Sequence, residues 1–339
     1  MAALIALFVQ GENTRLIADA VVRELGGKPV ESIISWPHMK LLINPFAKLP
    51  VTIHPNIGYA TNEESVEAIE RTKDYSQPRL MTLDIYTRSD HLHGSLRPVL
   101  VHIHGGAWTS GSKDPYYPSE SLLVSENDWI AVNINYRLSP ANAYPTHLVD
   151  IKRALRWIKQ SIESFGGDPN FILLEADIAG AQLAVIAALT ANQPEFQPGF
   201  EDVDTSVQGV ICLSGLMDIQ SSKENKEYFV NQVVMDPNVE QSFLDKHSPM
   251  AAVLEAGRQG KLPPFLTIAG EADFLNDCAV TENFKSVYDK AIKENHGKAE
   301  CTYVALPGGH HKFYEFWSPR ALYAGRIVQA WCQALHRRA

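Results

Sequence analysis

Two periodicities alternate along most of this chain, and that alternation limits the folds open to it. From Leu80 onward apolar segments of strand length recur: Met81 to Tyr86, Pro98 to His104, Trp129 to Ile134, Phe171 to Leu174, Val207 to Leu213, Pro264 to Ala269 and Ala299 to Val304. The first alternates as a half-exposed strand does, whereas Pro98-Val99-Leu100-Val101-His102-Ile103-His104 reads as a strand covered on both faces. Between them lie helical stretches at His147 to Phe165, Gln182 to Ala191 and Cys278 to Glu294. Strand and helix in alternation predict an α/β fold, a mainly parallel central sheet flanked by helices. Ligands bind such sheets beyond the carboxyl ends of the strands, so the residues just after each strand are the ones to read.

The first part of the chain differs. Leu16 to Val22 has helical spacing, and prolines at 37, 45, 50 and 55 break the next stretch into short pieces. Residues 1–75 are therefore expected to form a helical lid rather than sheet, with 76–339 as the core. Trp36-Pro37-His38-Met39-Lys40-Leu41-Leu42 and Phe46 suggest an apolar entrance, aided by Trp108 and Trp317, although aromatics at such places are as often plain packing. The opening Met1 to Val9 is apolar but ends at Gln10-Gly11-Glu12-Asn13, short of the roughly 20 residues that span a bilayer, and lacks a basic flank. A packed helix or a flap touching a membrane surface is the favoured reading there.

A net charge of −9 with no basic run excludes a nucleic-acid partner. Cys212, Cys278, Cys301 and Cys332 lie far apart, as buried free thiols do, which points to a reducing, cytoplasmic setting. The histidines lack ligand spacing and no phosphate loop follows a strand, so no metal set and no cofactor is expected.

After the buried strand at 98–103 comes His104-Gly105-Gly106-Ala107-Trp108. Glycines there let the backbone approach a ligand carbonyl with no Cβ in the way. This segment resembles the HGGG-type loop of the hormone-sensitive-lipase-like esterase/lipase branch of the α/β hydrolases. The likeness continues through Asn135-Tyr136-Arg137-Leu138-Ser139-Pro140, Tyr144-Pro145, Asp150, Phe165-Gly166-Gly167-Asp168-Pro169 and Gln197-Pro198-Gly199-Phe200-Glu201-Asp202, in the expected order from about residue 80 to the end. The resemblance implies an α/β-hydrolase fold and assigns the backbone N–H groups of Gly105, Gly106 and Ala179 to an oxyanion hole.

The family's nucleophile elbow, G-x-S-x-G, matches Ala176-Asp177-Ile178-Ala179-Gly180 here, with Ile178 where the serine belongs. A hydrocarbon side chain cannot attack a carbonyl. Either the site has decayed or become a binding pocket, or an apolar group on its floor serves chemistry without an acyl-enzyme. A serine removed by design is a third reading, though such changes use alanine, and Ala176 and Ala181 also depart from the pattern.

The resemblance places the triad acid at Asp273, in Gly270-Glu271-Ala272-Asp273, with Asp277 available as a helix cap. It places the catalytic histidine at His311, in Gly308-Gly309-His310-His311-Lys312-Phe313, with His310 as the alternative. Asp273 would orient His311 and favour its charged form. Glu175, at the end of a buried strand, needs a buried partner or points into the pocket, and Asp177 is expected to bond the surrounding loop. Ser214 is the one substitute hydroxyl to name, against its plainer role as a strand-end turn residue.

An oxyanion hole facing a base suits proton transfer beside a carbonyl. The leading expectation is a non-hydrolytic enzyme (lyase, dehydratase, isomerase or cyclase) acting on an apolar carbonyl compound. The alternatives are a ligand-binding pseudoenzyme or receptor, and a carboxylesterase-type hydrolase acting through water activated by His311.

Overall fold

The computed structural model describes residues 2–32, 44, 49, 51–90 and 94–339. Eight strands among the described residues form one sheet: β1 (Thr52–Gly58), β2 (Thr82–Thr87), β3 (Arg97–Ile103), β4 (Ile130–Ile134), β5 (Gly167–Asp177), β6 (Gly209–Leu213), β7 (Phe265–Gly270) and β8 (Cys301–Leu306). Their order is β1-β2-β4-β3-β5-β6-β7-β8. Only the β1–β2 and β2–β4 pairs are antiparallel; from β4 to β8 the sheet is parallel, as the alternation of strands and helices requires.

The helices are α1 (Ala2–Glu24), α2 (Asn62–Thr72), α3 (Pro118–Asn127), α4 (Thr146–Ser161), α5 (Ile178–Leu189), α6 (Lys223–Tyr228), α7 (Gln241–His247), α8 (Pro249–Arg258), α9 (Cys278–Glu294) and α10 (Pro319–Arg338). Side chains on each strand alternate between two apolar layers. Val99, Val101, Ile103, Leu174 and Ala176 face the layer built with α4 and α5. Leu100, Leu173 and Ile211 face the layer built with α1, α3 and α10. By the same alternation His102, Glu175 and Asp177 lie on the second face, beneath the carboxyl ends of β3 and β5.

Residues 52–58 differ from expectation: they are an edge strand of the sheet. β1 escapes a sequence search because its side chains, Thr52-Ile53-His54-Pro55-Asn56-Ile57-Gly58, are largely exposed and show no apolar alternation. The expected entrance, Trp36 to Leu42 and Phe46, lies outside the described residues. α1 packs on α10 through Ala18 and Val22, and Arg320 at the start of α10 hydrogen-bonds both Gln10 Oε1 (2.8 Å) and the Pro307 carbonyl (2.8 Å). Arg137 and Asp150 form a buried two-pronged pair at 2.6 and 2.7 Å, fixing the Asn135 to Pro140 segment against α4.

Candidate active site

Four strand ends meet along one edge of the parallel sheet. After β3 the chain turns through Gly105 and Gly106; Gly106 has φ +119°, a conformation that excludes a side chain, and an added Cβ would press within 2.2 Å of the Ser110 carbonyl oxygen. The Gly105 N–H donates to Asp177 Oδ1 at 2.6 Å. That corrects the expected hole: the Gly105 donor is spent inside the protein, because Asp177 ends the neighbouring strand and reaches across to the loop. The N–H groups of Gly106 and Ala179 make no hydrogen bond among the described residues. Ala179 lies in the first turn of α5, where the helix itself supplies no acceptor.

The turn from β5 into α5 is sharp. Ile178 sits there at φ +51°, half-buried, with its carbonyl accepting the Leu216 N–H at 3.0 Å. A left-handed conformation costs a residue with a Cβ roughly 1–2 kcal/mol, and a β-branched side chain is among the least suited to it. The neighbours impose it: Gly180 lies so close to β3 that a Cβ would come within 2.3 Å of the Ile103 carbonyl oxygen and 2.5 Å of that of His104.

Beyond β7, Asp277 caps α9 by accepting the Ala279 N–H at 2.9 Å, which leaves Asp273 free for another task. Both carboxylate oxygens of Asp273 lie 3.0 Å from His311 Nδ1. Oδ1 also accepts the N–H groups of Leu275 and Asn276, each at 3.0 Å. Burial works to raise the Asp273 pKa, but the bonds from His311 and from the Asn276 amide prevail and hold it below the usual carboxylate value. His311 carries the half-buried ring of this dyad, while His310 is exposed and turns Nδ1 toward the His311 carbonyl. Phe274 and Leu275, 84% and 58% exposed, stand beside the acid as an apolar rim.

The other expected pocket residues lie elsewhere. Trp108 is buried, donating Nε1–H to Gln182 (3.0 Å) and meeting Phe229 edge-on. Trp317 belongs to a small buried cluster with Leu122 and Leu322. Ser214 has φ +45° and a buried Oγ without a hydrogen-bond partner, closed off as a substitute nucleophile. A cavity of about 1010 Å³ opens between α1, α3 and α10, lined by Val22, Val30, Leu122 and Ala330; neither member of the dyad lines it.

Glu175 does not reach a pocket. It lies across from His102 on β3, with Oε2 3.6 Å from Nδ1, and Glu120 of α3 brings Oε1 to 3.2 Å of the same nitrogen. His102 Nε2 is 3.9 Å from Asp177 Oδ1. All four side chains are buried. Burial opposes charge on His102, but the Glu120 and Glu175 carboxylates outweigh it and raise its pKa; burial pushes the Glu120 and Asp177 carboxyls upward. Only Glu175 and Asp177 stood out in the sequence, because the cluster gathers residues from three separate elements. Tyr314, also unforeseen, donates its O–H to Asp177 Oδ2 at 3.3 Å.

A mainly parallel eight-stranded sheet with a strained strand-to-helix turn after β5, an aspartate after β7 and a histidine after β8 defines an α/β hydrolase. Within that class the chain belongs to the BD-FAE family, whose model matches residues 83–287. Esterase LipQ of Mycobacterium tuberculosis is 39% identical over 237 residues, 68% of this chain and 54% of that protein. Esterase LipC of the same organism is 31% identical over 252 residues, 70% of this chain and 58% of that protein. The chain thus spans little more than half the length of these relatives. Among solved structures, esterase B from Lactobacillus rhamnosis superposes with a TM-score of 0.65 at 18% identity, covering 95% of this chain and 96% of that one. The expected lyase, dehydratase, isomerase or cyclase chemistry finds no support among these esterases, and neither does the pseudoenzyme reading; the comparisons favour the hydrolase alternative. No helix among the described residues is long and apolar enough to cross a membrane.

Proposed function

We propose that the protein hydrolyses carboxylic esters with an apolar acyl group, using water activated by His311 in place of a serine nucleophile. The observation that carries this reading is the His311–Asp273 dyad, with both carboxylate oxygens 3.0 Å from Nδ1 in a chain whose relatives are esterases. Asp273 fixes the tautomer with the proton on Nδ1, which leaves Nε2 as the base. Nε2 takes a proton from water as the water oxygen attacks the ester carbonyl. The resulting oxyanion is held by the N–H groups of Gly106 and Ala179, and the imidazolium returns the proton to the departing alkoxide. Ile178, at the position the elbow gives to serine, closes the floor of the site with hydrocarbon and rules out an acyl-enzyme through that residue. The exposed Phe274 and Leu275 favour an apolar acyl group, and α1, tied by Gln10 and Arg320 to the loop before His311, supports a lid role for the N-terminal part.

General-base assistance contributes on the order of 10²–10⁴-fold, so turnover of p-nitrophenyl butyrate should be slow but well above background. His311→Ala should return it to background. Equal rates for the two proteins would overturn the proposal. Ile178→Ser should raise the rate at least 10²-fold and create a site that an alkyl phosphonate labels covalently.

A further inference from the structure

The cluster behind the turn has unmet coordination. His102 Nδ1 and Nε2, both oxygens of Glu175 and Oε1 of Glu120 are buried with no hydrogen-bond partner. Asn133, which pairs with His102 across β3 and β4 and donates Nδ2–H to Glu120 Oε2 at 3.0 Å, leaves its own Oδ1 unpartnered as well. Two carboxyl groups crowd His102 Nδ1 and a third, Asp177, lies beyond Nε2, so a single imidazolium offsets only one of the carboxylates around it. An uncompensated buried carboxylate is among the costliest groups in a core.

We propose that His102, Glu120 and Glu175 bind a divalent cation, with zinc the best match to the donors. His102 Nδ1 is 3.2 Å from Glu120 Oε1 and 3.6 Å from Glu175 Oε2, and one ligand atom from each residue falls within 4.8 Å of the others. A tetrahedral ion with bonds of about 2.0–2.2 Å holds its ligand atoms about 3.3–3.6 Å apart, so the two distances from Nδ1 already suit one. One imidazole and two carboxylates make a nitrogen and oxygen set that zinc accepts. A dication and a neutral imidazole balance both carboxylates. Nδ1 as ligand leaves Nε2–H facing Asp177, the outer carboxylate that commonly orients a metal-bound histidine. The same Asp177 holds the Gly105 N–H, so the ion would brace the loop after β3 and the turn after β5 from behind. No ligand is more than slightly exposed, so the ion enters as the chain folds and leaves slowly.

The test is elemental analysis of the full chain, expressed with zinc supplementation and dialysed against metal-free buffer. About one zinc per chain is expected, falling below 0.1 in Glu175→Gln and in the Glu120→Gln/Glu175→Gln double variant. Wild type with less than 0.1 equivalent of any divalent metal, or a folded variant that keeps the full amount, overturns the proposal. If the variants do not fold, wild type unfolded in guanidinium and refolded with a chelator decides: its Tm should drop by several degrees and recover only when Zn²⁺ is added during refolding. A Tm unaffected by either treatment overturns the assignment. None of these readouts depends on ester turnover.

Discussion

The two ends of the candidate site are built on opposite terms. Around β7 and β8 the charges form one satisfied pair: Asp273, itself buried, is bonded by His311 and two amides, and His311 is half-buried. Around β3 and β5 the charged groups are many, fully buried and only partly bonded, with His102, Glu120, Glu175 and Asp177 in one knot. The contrast separates two tasks. Groups beside β8 can exchange protons with a substrate, whereas the groups under β5 hold the shape of a turn that carries no reactive atom of its own.

That contrast breaks most clearly at the dyad. Asp273→Asn should cost about 10²–10⁴ in ester turnover while urea unfolding shifts by no more than about 1 kcal/mol; a large stability loss with turnover unchanged would reverse the roles assigned here. Asp177→Ala should do the opposite, lowering the unfolding free energy by about 3–5 kcal/mol, because it strands the Gly105 N–H and one side of His102. A loss under about 1 kcal/mol would mean that the knot is not structural. Gly180→Ala forces a Cβ against the Ile103 and His104 carbonyls and should cost about 1–3 kcal/mol, sharpening the case that backbone contact imposes the turn.

A last test concerns pH. His147 is buried against the Trp108 carbonyl (3.2 Å), and burial lowers its pKa from 6.5 to about 4. Its folded pKa lies below the unfolded value, so as pH falls through about 6.5 the unfolded chain takes up the proton first. Stability from this group is complete above that pH and is lost toward about pH 4, at about 1.4 kcal/mol per unit. His147→Gln should flatten the stability profile by that slope in that window, and an unchanged slope would show the ring to be charged in the fold.

Much of this was legible because it is local. The parallel strands announced themselves as apolar runs, and α9 from Cys278 to Glu294 could be read from spacing alone. Asp273 and His311 follow strands, but it was the resemblance to the esterase/lipase branch that singled them out. What stayed hidden depends on side chains meeting across the sheet. Nothing in the sequence near Gly105 says that Asp177, 72 positions later, consumes its amide. Likewise, nothing in Glu120, in the first turn of α3, says that it faces His102. Trp317 could be read as a pocket aromatic or as packing from its sequence position, and among the described residues it packs against Leu122 of α3 and Leu322 of α10.

The left-handed backbone at Ile178 has one more implication. Its conformation is set by Gly180, by β3 and by the Leu216 amide rather than by its own side chain. The position therefore behaves as a socket: the scaffold holds it in place at a small energetic toll, and the group seated there can be exchanged without rebuilding the fold. In such an arrangement reactivity and architecture can vary independently, and gaining or losing a nucleophile requires only a change of one side chain.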